Sequence, residues 1–460
     1  MKSVNTRYRR RWYVACIFCI LCGFYAESLF AQKQPDIPDH FIQISKDAKS
    51  LKDKLDEARK HCVQKNETGR FWLGYQFELR DGVDLDNMYI HDNGGISISH
   101  GRFNKFRLQK EDDLETYLLQ ALSELGVEDA REAYHKLKNK LLQYQNWHAG
   151  LFLLLDSKDA AVKKLRLLFL DEQRKFEDYP VYWGSSVATA ESFRYLAEII
   201  QNKNYQAHIV KPAIFILSLH EHPEVISFLT RTARTNDNRD IRRSAVFWLG
   251  QIPKEGSFQA LVKLFEVEQS QKIKEKIVFS VSQHTSKKAF DFLAKVAKND
   301  PDPQVREKAV FWLGQDEREE SLALLSELLQ NTQSTRLKEK IVFAISQHQS
   351  QLAVDLLIKT AEDHQNSAVR EKAIFWLGQI AGRKSLSALG DLVENDEATE
   401  IKTKAVFAIS QHQNKKEAVE MLINIAKNNK NPEVRRKAIF WLGQTGDQRA
   451  IAFFKELLTN

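Results

Sequence analysis

Apolar residues recur with a helical period through the second half of the chain. In the stretch around Phe311, Val305, Ala309, Trp312 and Leu313 fall at i, i+4, i+7 and i+8, one stripe of an amphipathic helix. Leu322, Leu325, Leu328 and Leu329 form the stripe of a second helix close behind. The pattern predicts a helical hairpin, and it repeats. Phenylalanine returns at Phe215, Phe247, Phe279, Phe311, Phe343, Phe375, Phe407 and Phe440, at six intervals of 32 residues and one of 33. Two flavours alternate. One reads Ala245-Val246-Phe247-Trp248-Leu249-Gly250-Gln251 and returns at Phe311, Phe375 and Phe440. The other reads Ile277-Val278-Phe279-Ser280-Val281-Ser282-Gln283-His284 and returns at Phe343 and Phe407, with a diverged copy at Phe215. Residues 205–460 therefore hold eight hairpins arranged as four 64-residue double repeats.

Helix boundaries are marked by chemistry. Asn238, Ser270, Asp302, Ser334, Asn366 and Asn431 are N-cap types placed four residues before a basic residue. Pro303 and Pro432 follow at the first helical position, where no N–H is needed. Ala398 breaks the series, which predicts Thr399 as the cap there. Gly314 stands where a C-terminal stop is expected.

The pattern Asp302-x-x-Val305-Arg306-x-x-Ala309, then Leu313-Gly314 and a leucine-rich second helix, resembles HEAT repeats. It looks most like the short bacterial form named after phycobilisome lyases, in an exported subgroup with an aromatic Phe-Trp-Leu-Gly-Gln motif. The resemblance covers about residues 205–460 and implies a mainly α fold, a right-handed α-α superhelix, that binds other proteins. A minority of the family are enzymes that attach bilin chromophores.

The N-terminal half changes period. Phe71, Leu73, Tyr75, Phe77 and Leu79 alternate, predicting a strand buried on one face. Met88–His91 and Ile96–Ser99 around Asn93-Gly94-Gly95 predict a hairpin. Helices are expected in 43–66, 112–124, 128–145 and 188–202, and strands at Leu151–Leu155 and Leu165–Leu170. Residues 32–204 thus read as a small α+β domain of no recognised family, preceding and capping the solenoid.

Composition bounds the class. With 43% hydrophobic and 28% charged residues, the 460-residue chain is neither disordered nor a polytopic membrane protein. The formal charge is +7, but Lys2, Arg7, Arg9, Arg10 and Arg11 stand against Glu27 in residues 1–31, so the remainder is near neutral. That argues against nucleic acid as a partner. Cys16, Cys19 and Cys22 also lie there, leaving Cys62 alone with neither a disulfide nor a cysteine zinc site. Residues 1–31 read as a signal peptide: a basic run, the uncharged stretch 12–26, and Leu29-Phe30-Ala31 as cleavage site. As a helix that stretch is about 22 Å long against a bilayer core of about 30 Å, so export to the periplasm or medium is expected. The alternative is a membrane anchor at 12–26.

Candidate chemistry is sparse. His220, His284, His348 and His412 recur every second repeat, roughly 16–20 Å apart for stacked helices, too far to share a metal. The ladder Gln251, Gln283, Gln315, Gln347, Gln379, Gln411 and Gln444 predicts side-chain bonds to the backbone of the adjacent repeat, a scaffold role. The phenylalanine ladder is assigned to the scaffold too, and Trp248, Trp312, Trp376 and Trp441 to the core. Arg242, Lys274, Arg306, Lys338, Arg370, Lys402 and Arg435 form one basic row, whose family counterparts pair with acidic or cap residues. Lys276, Lys308, Lys340, Lys372, Lys404 and Lys437 form a second row, a candidate stripe for binding a partner. His91, Asp92 and His100 near the predicted hairpin are the one candidate polar cluster of the N-terminal domain. Asn66-Glu67-Thr68 matches a glycosylation sequon. No hydrolase, zincin, phosphate-loop or dinucleotide motif occurs, so no catalytic residue, metal or cofactor is assigned. The function read from the sequence is an exported, non-enzymatic scaffold gripping a protein on the concave solenoid face. The competing readings are a lyase-like or hydrolase-like enzyme with its site in the N-terminal domain, and a membrane-tethered envelope-signalling regulator.

Overall fold

The computed structural model describes residues 37–65, 69–80, 83, 88–90, 96–98, 149–170 and 176–459. The signal segment, the sequon, the helices expected at 112–124 and 128–145, and His91, Asp92 and His100 lie outside the described residues. The chain divides into two compact units, Met1–Val225 and Ile226–Asn460.

In the first unit, β1 (Ile42–Gln43), β2 (Arg70–Gln76), β5 (Ala149–Asp156), β6 (Val162–Phe169) and β7 (Val181–Ser186) form one sheet in the order β1-β7-β2-β5-β6. β7 runs parallel to β1 and β2, whereas β5 is antiparallel to β2 and β6. β3 (Met88–Ile90) and β4 (Ile96–Ile98) make the expected hairpin. Helices α1 (Leu51–Gln64), α2 (Thr189–Gln201) and α3 (Ala207–Ser218) complete the unit, so the helix of Phe215 packs within the sheet-bearing unit.

β2 is buried on both faces, not one. Phe71, Leu73 and Tyr75 lie on one side; Trp72 joins Phe41, Phe152, Leu168 and Trp183 in a cluster on the other. Gly74 permits that second cluster, since a Cβ there would stand 2.4 Å from the Phe152 ring. β7, which the alternation did not reveal, carries Val181, Tyr182 and Trp183 as a continuous buried run, as a strand covered on both faces should.

The second unit is a helical solenoid. Its first helices are α5 (Arg239–Gly250), α7 (Gln271–Ser282), α9 (Pro303–Gly314), α11 (Thr335–Ser346), α13 (Ser367–Gln379), α15 (Thr399–Gln411) and α17 (Pro432–Thr445). The second helices are α4 (Val225–Thr235), α6 (Glu255–Val267), α8 (Lys287–Asn299), α10 (Glu319–Asn331), α12 (Gln351–Asp363), α14 (Arg383–Asn395), α16 (Lys415–Asn428) and α18 (Gln448–Thr459). Asn238, Asp302, Ser334, Asn366 and Asn431 each accept a backbone N–H at their helix start, as expected. Ser270 makes no such bond. Nor does Thr399 act as a cap: it is the first residue of α15, and Ala398 holds the N-cap position without a side-chain bond.

Neighbouring first helices pack far more intimately than neighbouring second helices. In a curved stack the closer-spaced layer is the inner one, so the solvent side of the first helices is the concave face of this unit.

Candidate docking face

The two basic rows separate by their partners. Arg242 meets Glu268 at 3.2 Å, Lys274 meets the buried Asp300 at 3.4 Å, and Arg370 pairs with Asp396. Arg306, Lys402 and Arg435 donate instead to the carbonyls of Asp300, Glu394 and Asn429, at 2.6, 2.9 and 2.8 Å. These six residues stitch the starts of their helices to nearby loops and helix ends; Lys338 on α11 makes no such side-chain bond among the described residues. In the second row, only Lys404 has an ion pair among the described residues, with Glu371 at 2.7 Å. Lys276, Lys308, Lys340, Lys372 and Lys437 keep their charge available.

The phenylalanines lie three residues beyond these lysines, hence beside them on the helix surface. The inner core is filled by residues such as Val305, Ala309, Val310 and Leu313, and the phenylalanine rings are only partly covered. Phe375 is 39% exposed and Phe440 54%. The ladder assigned to the scaffold is therefore a half-exposed ribbon as well. A helical wheel carries the signal, because at 100° per residue Phe311 stands about 160° from the centre of the Val305–Ala309–Leu313 stripe. The tryptophans also depart from a plain core role. Trp248 is buried, but Trp312, Trp376 and Trp441 are half-buried between first helices, their rings 5.0 Å from Phe279, Phe343 and Phe407 of the preceding helix. Phe247 stacks on Phe279 at 5.7 Å and Phe311 on Phe343 at 6.1 Å, so ring contacts run unbroken from α5 to α13.

Between α7, α9 and α11 this ribbon opens into a groove of about 340 Å³. Phe311 and Phe343 line it with Lys308, Lys340 and Arg336, while Glu307 is engaged by Arg336 at 2.7 Å. The Lys276 ammonium stands 4.0 and 4.3 Å from the ring centroids of Phe247 and Phe279. Burial, reinforced by Arg243 and Lys308, brings its pKa down to about 8.

The remaining ladders serve the scaffold, with one change of partner. Gln283, Gln347 and Gln411 donate to Ser282, Ser346 and Ser410 of their own helix ends, not to the next repeat. Gln413 makes the inter-repeat bond, to the Gln379 carbonyl at 2.9 Å. His412 meets Ser385 at 3.1 Å and His220 meets Ser192 at 2.8 Å, both buried. Among the described residues no helix is long and apolar enough to cross a membrane.

The HEAT-repeat family matches this chain over residues 290–378, 328–410 and 386–460. No curated protein sequence matches it. Similar solved structures include human deoxyhypusine hydroxylase, at 18% identity over 50% of this chain and 88% of that one, with a TM-score of 0.25. The CpcE–CpcF complex of phycocyanin lyase from Nostoc is 17% identical over 51% of this chain and 95% of that one, with a TM-score of 0.28. YibA of E. coli is 19% identical over 56% and 93%, with a TM-score of 0.32. These likenesses concern the repeat fold alone.

Proposed function

This is a HEAT-repeat protein, matched as such over residues 290–460, and from that premise we propose that it is an exported, non-enzymatic scaffold holding a partner protein along the inner face of its solenoid. The observation that carries this reading is the ribbon of half-exposed phenylalanines flanked by lysines, of which only Lys404 has an ion pair among the described residues, repeated from helix to helix. A row of equivalent contacts suits recognition spread over an extended surface, with aromatic anchors supplying most of the affinity. A catalytic site would gather its groups in one place. Glu275, Glu307, Glu339 and Glu371 interleave with the lysines and dilute the positive field, which favours a protein over a nucleic acid.

The test is a comparative capture. Residues 32–460 and the variant carrying Phe279→Ser, Phe311→Ser and Phe343→Ser are immobilised and exposed to envelope extract and culture fluid. A stoichiometric protein held by the natural chain and lost from the variant is expected. Equal retention by both removes the ribbon from recognition. Export is read separately, from the mass of the protein recovered from its native cell. A mature N-terminus just after Ala31 is expected, and an intact residue 1 would point to the anchor at 12–26.

A further inference from the structure

Lys276 occupies a place in the ribbon where cations gather and every nearby carboxylate is engaged. Its ammonium sits beside the stacked rings of Phe247 and Phe279, which are parallel within 1°, and touches both. On α5, Arg243 is bonded to Asp240 at 3.4 Å. On its own helix, Glu275 is held by Lys272 at 3.4 Å and by Gln271 at 2.7 Å. On α9, Glu307 turns to Arg336 and Lys308 has no ion pair among the described residues. Ring faces attract an ammonium but leave its charge uncompensated. Lys276 and Lys308 thus border a notch that lacks an anion, and it opens beside the groove where the Phe311 and Phe343 rings supply the apolar surface.

Building on the docking function proposed above, we propose that the notch receives a carboxylate of an acidic segment of the partner, whose apolar side chains lie in the adjoining groove. Charge complementarity selects the occupant: on the groove wall Glu275 and Glu307 are taken by Lys272 and Arg336, which leaves Lys308 and Lys340 beside the two rings. An extended chain alternating acidic and apolar side chains matches both features at once.

The consequence is a proton-linked affinity. A carboxylate beside Lys276 favours its charged form, and the free ammonium titrates near pH 8. Binding therefore takes up protons above that pH and weakens as pH rises through it. Arginine at the same place stays charged throughout.

The test uses the full mature chain and a fluorescent synthetic peptide alternating aspartate with leucine, long enough to cross three repeats, read by anisotropy. Controls are a lysine–leucine peptide, an aspartate–serine peptide and a single-stranded oligonucleotide. The aspartate–leucine peptide is expected to bind best, with affinity falling from pH 7 to 9. Lys276→Gln is expected to lose about tenfold and flatten the pH profile, whereas Lys276→Arg keeps the affinity and flattens the profile. Tighter binding of the lysine–leucine peptide or the oligonucleotide, or an unchanged affinity and profile in Lys276→Gln, would overturn the inference. If the captured partner still depends on Phe279, Phe311 and Phe343 in that case, the docking face stands and only the acidic occupant falls.

Discussion

Replacing Gly314 with alanine is expected to destabilise the solenoid by about 2–4 kcal/mol, although alanine is the better helix former. The added Cβ would lie 2.6 Å from both Cα and Cβ of Ala344 on the next first helix, and 2.8 Å from its carbonyl oxygen. Two of those three atoms are backbone, so the helices must part. Gly250 meets Ser280 and Gly378 meets Ala408 in the same way. These contacts explain why the repeat is 64 residues and not 32. One seam between first helices is a close approach of glycine to alanine or serine; the next is filled by a tryptophan on a phenylalanine. Two seams need two flavours. Ala344→Gly should not rescue Gly314→Ala, because the Cα and carbonyl contacts remain. Gly443 provides the control, since its nearest neighbour among the described residues is the Phe454 ring at 4.0 Å. Gly443→Ala should gain up to about 1 kcal/mol of helix propensity. Urea unfolding followed by circular dichroism measures both, and a Gly314→Ala midpoint equal to the natural protein's would refute the close seam.

Acidification from pH 6.5 towards 3 is expected to remove on the order of 4 kcal/mol of stability from the first unit through His220 alone. The imidazole is 1% exposed and stacked on Phe77 at 3.9 Å. Its Nδ1–H donates to the Ile216 carbonyl at 2.9 Å, and Nε2 accepts from the Ser192 hydroxyl at 2.8 Å. Ser192 also hydrogen-bonds with Tyr75 at 3.1 Å. The neutral ring is fully satisfied, and burial lowers its pKa to about 3 from the 6.5 of an exposed histidine. The unfolded chain therefore binds the proton more readily across that interval. Stability from this group is complete above pH 6.5 and is lost as pH falls towards 3. Carboxylates titrate over part of the range too, so the difference between the natural protein and His220→Gln is the quantity to measure. His220→Gln should be less stable at pH 7 and show a shallower decline in acid; parallel declines would clear His220. His412 also meets a serine in the solenoid but in the opposite tautomer: Nδ1 accepts the Asn414 N–H at 3.1 Å, which leaves Nε2–H facing Ser385, and burial again lowers the imidazole pKa.

About half of the docking face is legible in the amino-acid sequence. The second lysine row stands out there as a candidate stripe, but the exposure of its phenylalanine neighbours is masked by their regularity. A residue repeated in every unit invites a scaffold role, and only its angle around the helix separates it from Trp312 and Leu313. Which lysines are free is not legible at all. Lys274 and Lys276 differ by two positions, yet one reaches Asp300 across its hairpin and the other meets only rings and cations. Gly314 misleads for a related reason. A glycine at a helix end suggests a left-handed stop, but here the helical backbone closes against Ala344, and Gly446 adopts the left-handed cap.

The tetrapeptide Phe-Trp-Leu-Gly marks the boundary between the two kinds of information. At residues 71–74 it is a strand buried on both faces; at 247–250, 311–314, 375–378 and 440–443 it is helical. Four residues do not choose. The period of the surrounding apolar positions does, because it sets which backbone geometry turns those side chains to one side, and that period is written in the sequence together with the repeat count and nearly all the helix starts. Which residues become groove, seam or ion pair is settled only when the helices stack, since exposure and charge compensation depend on atoms a full repeat away along the chain.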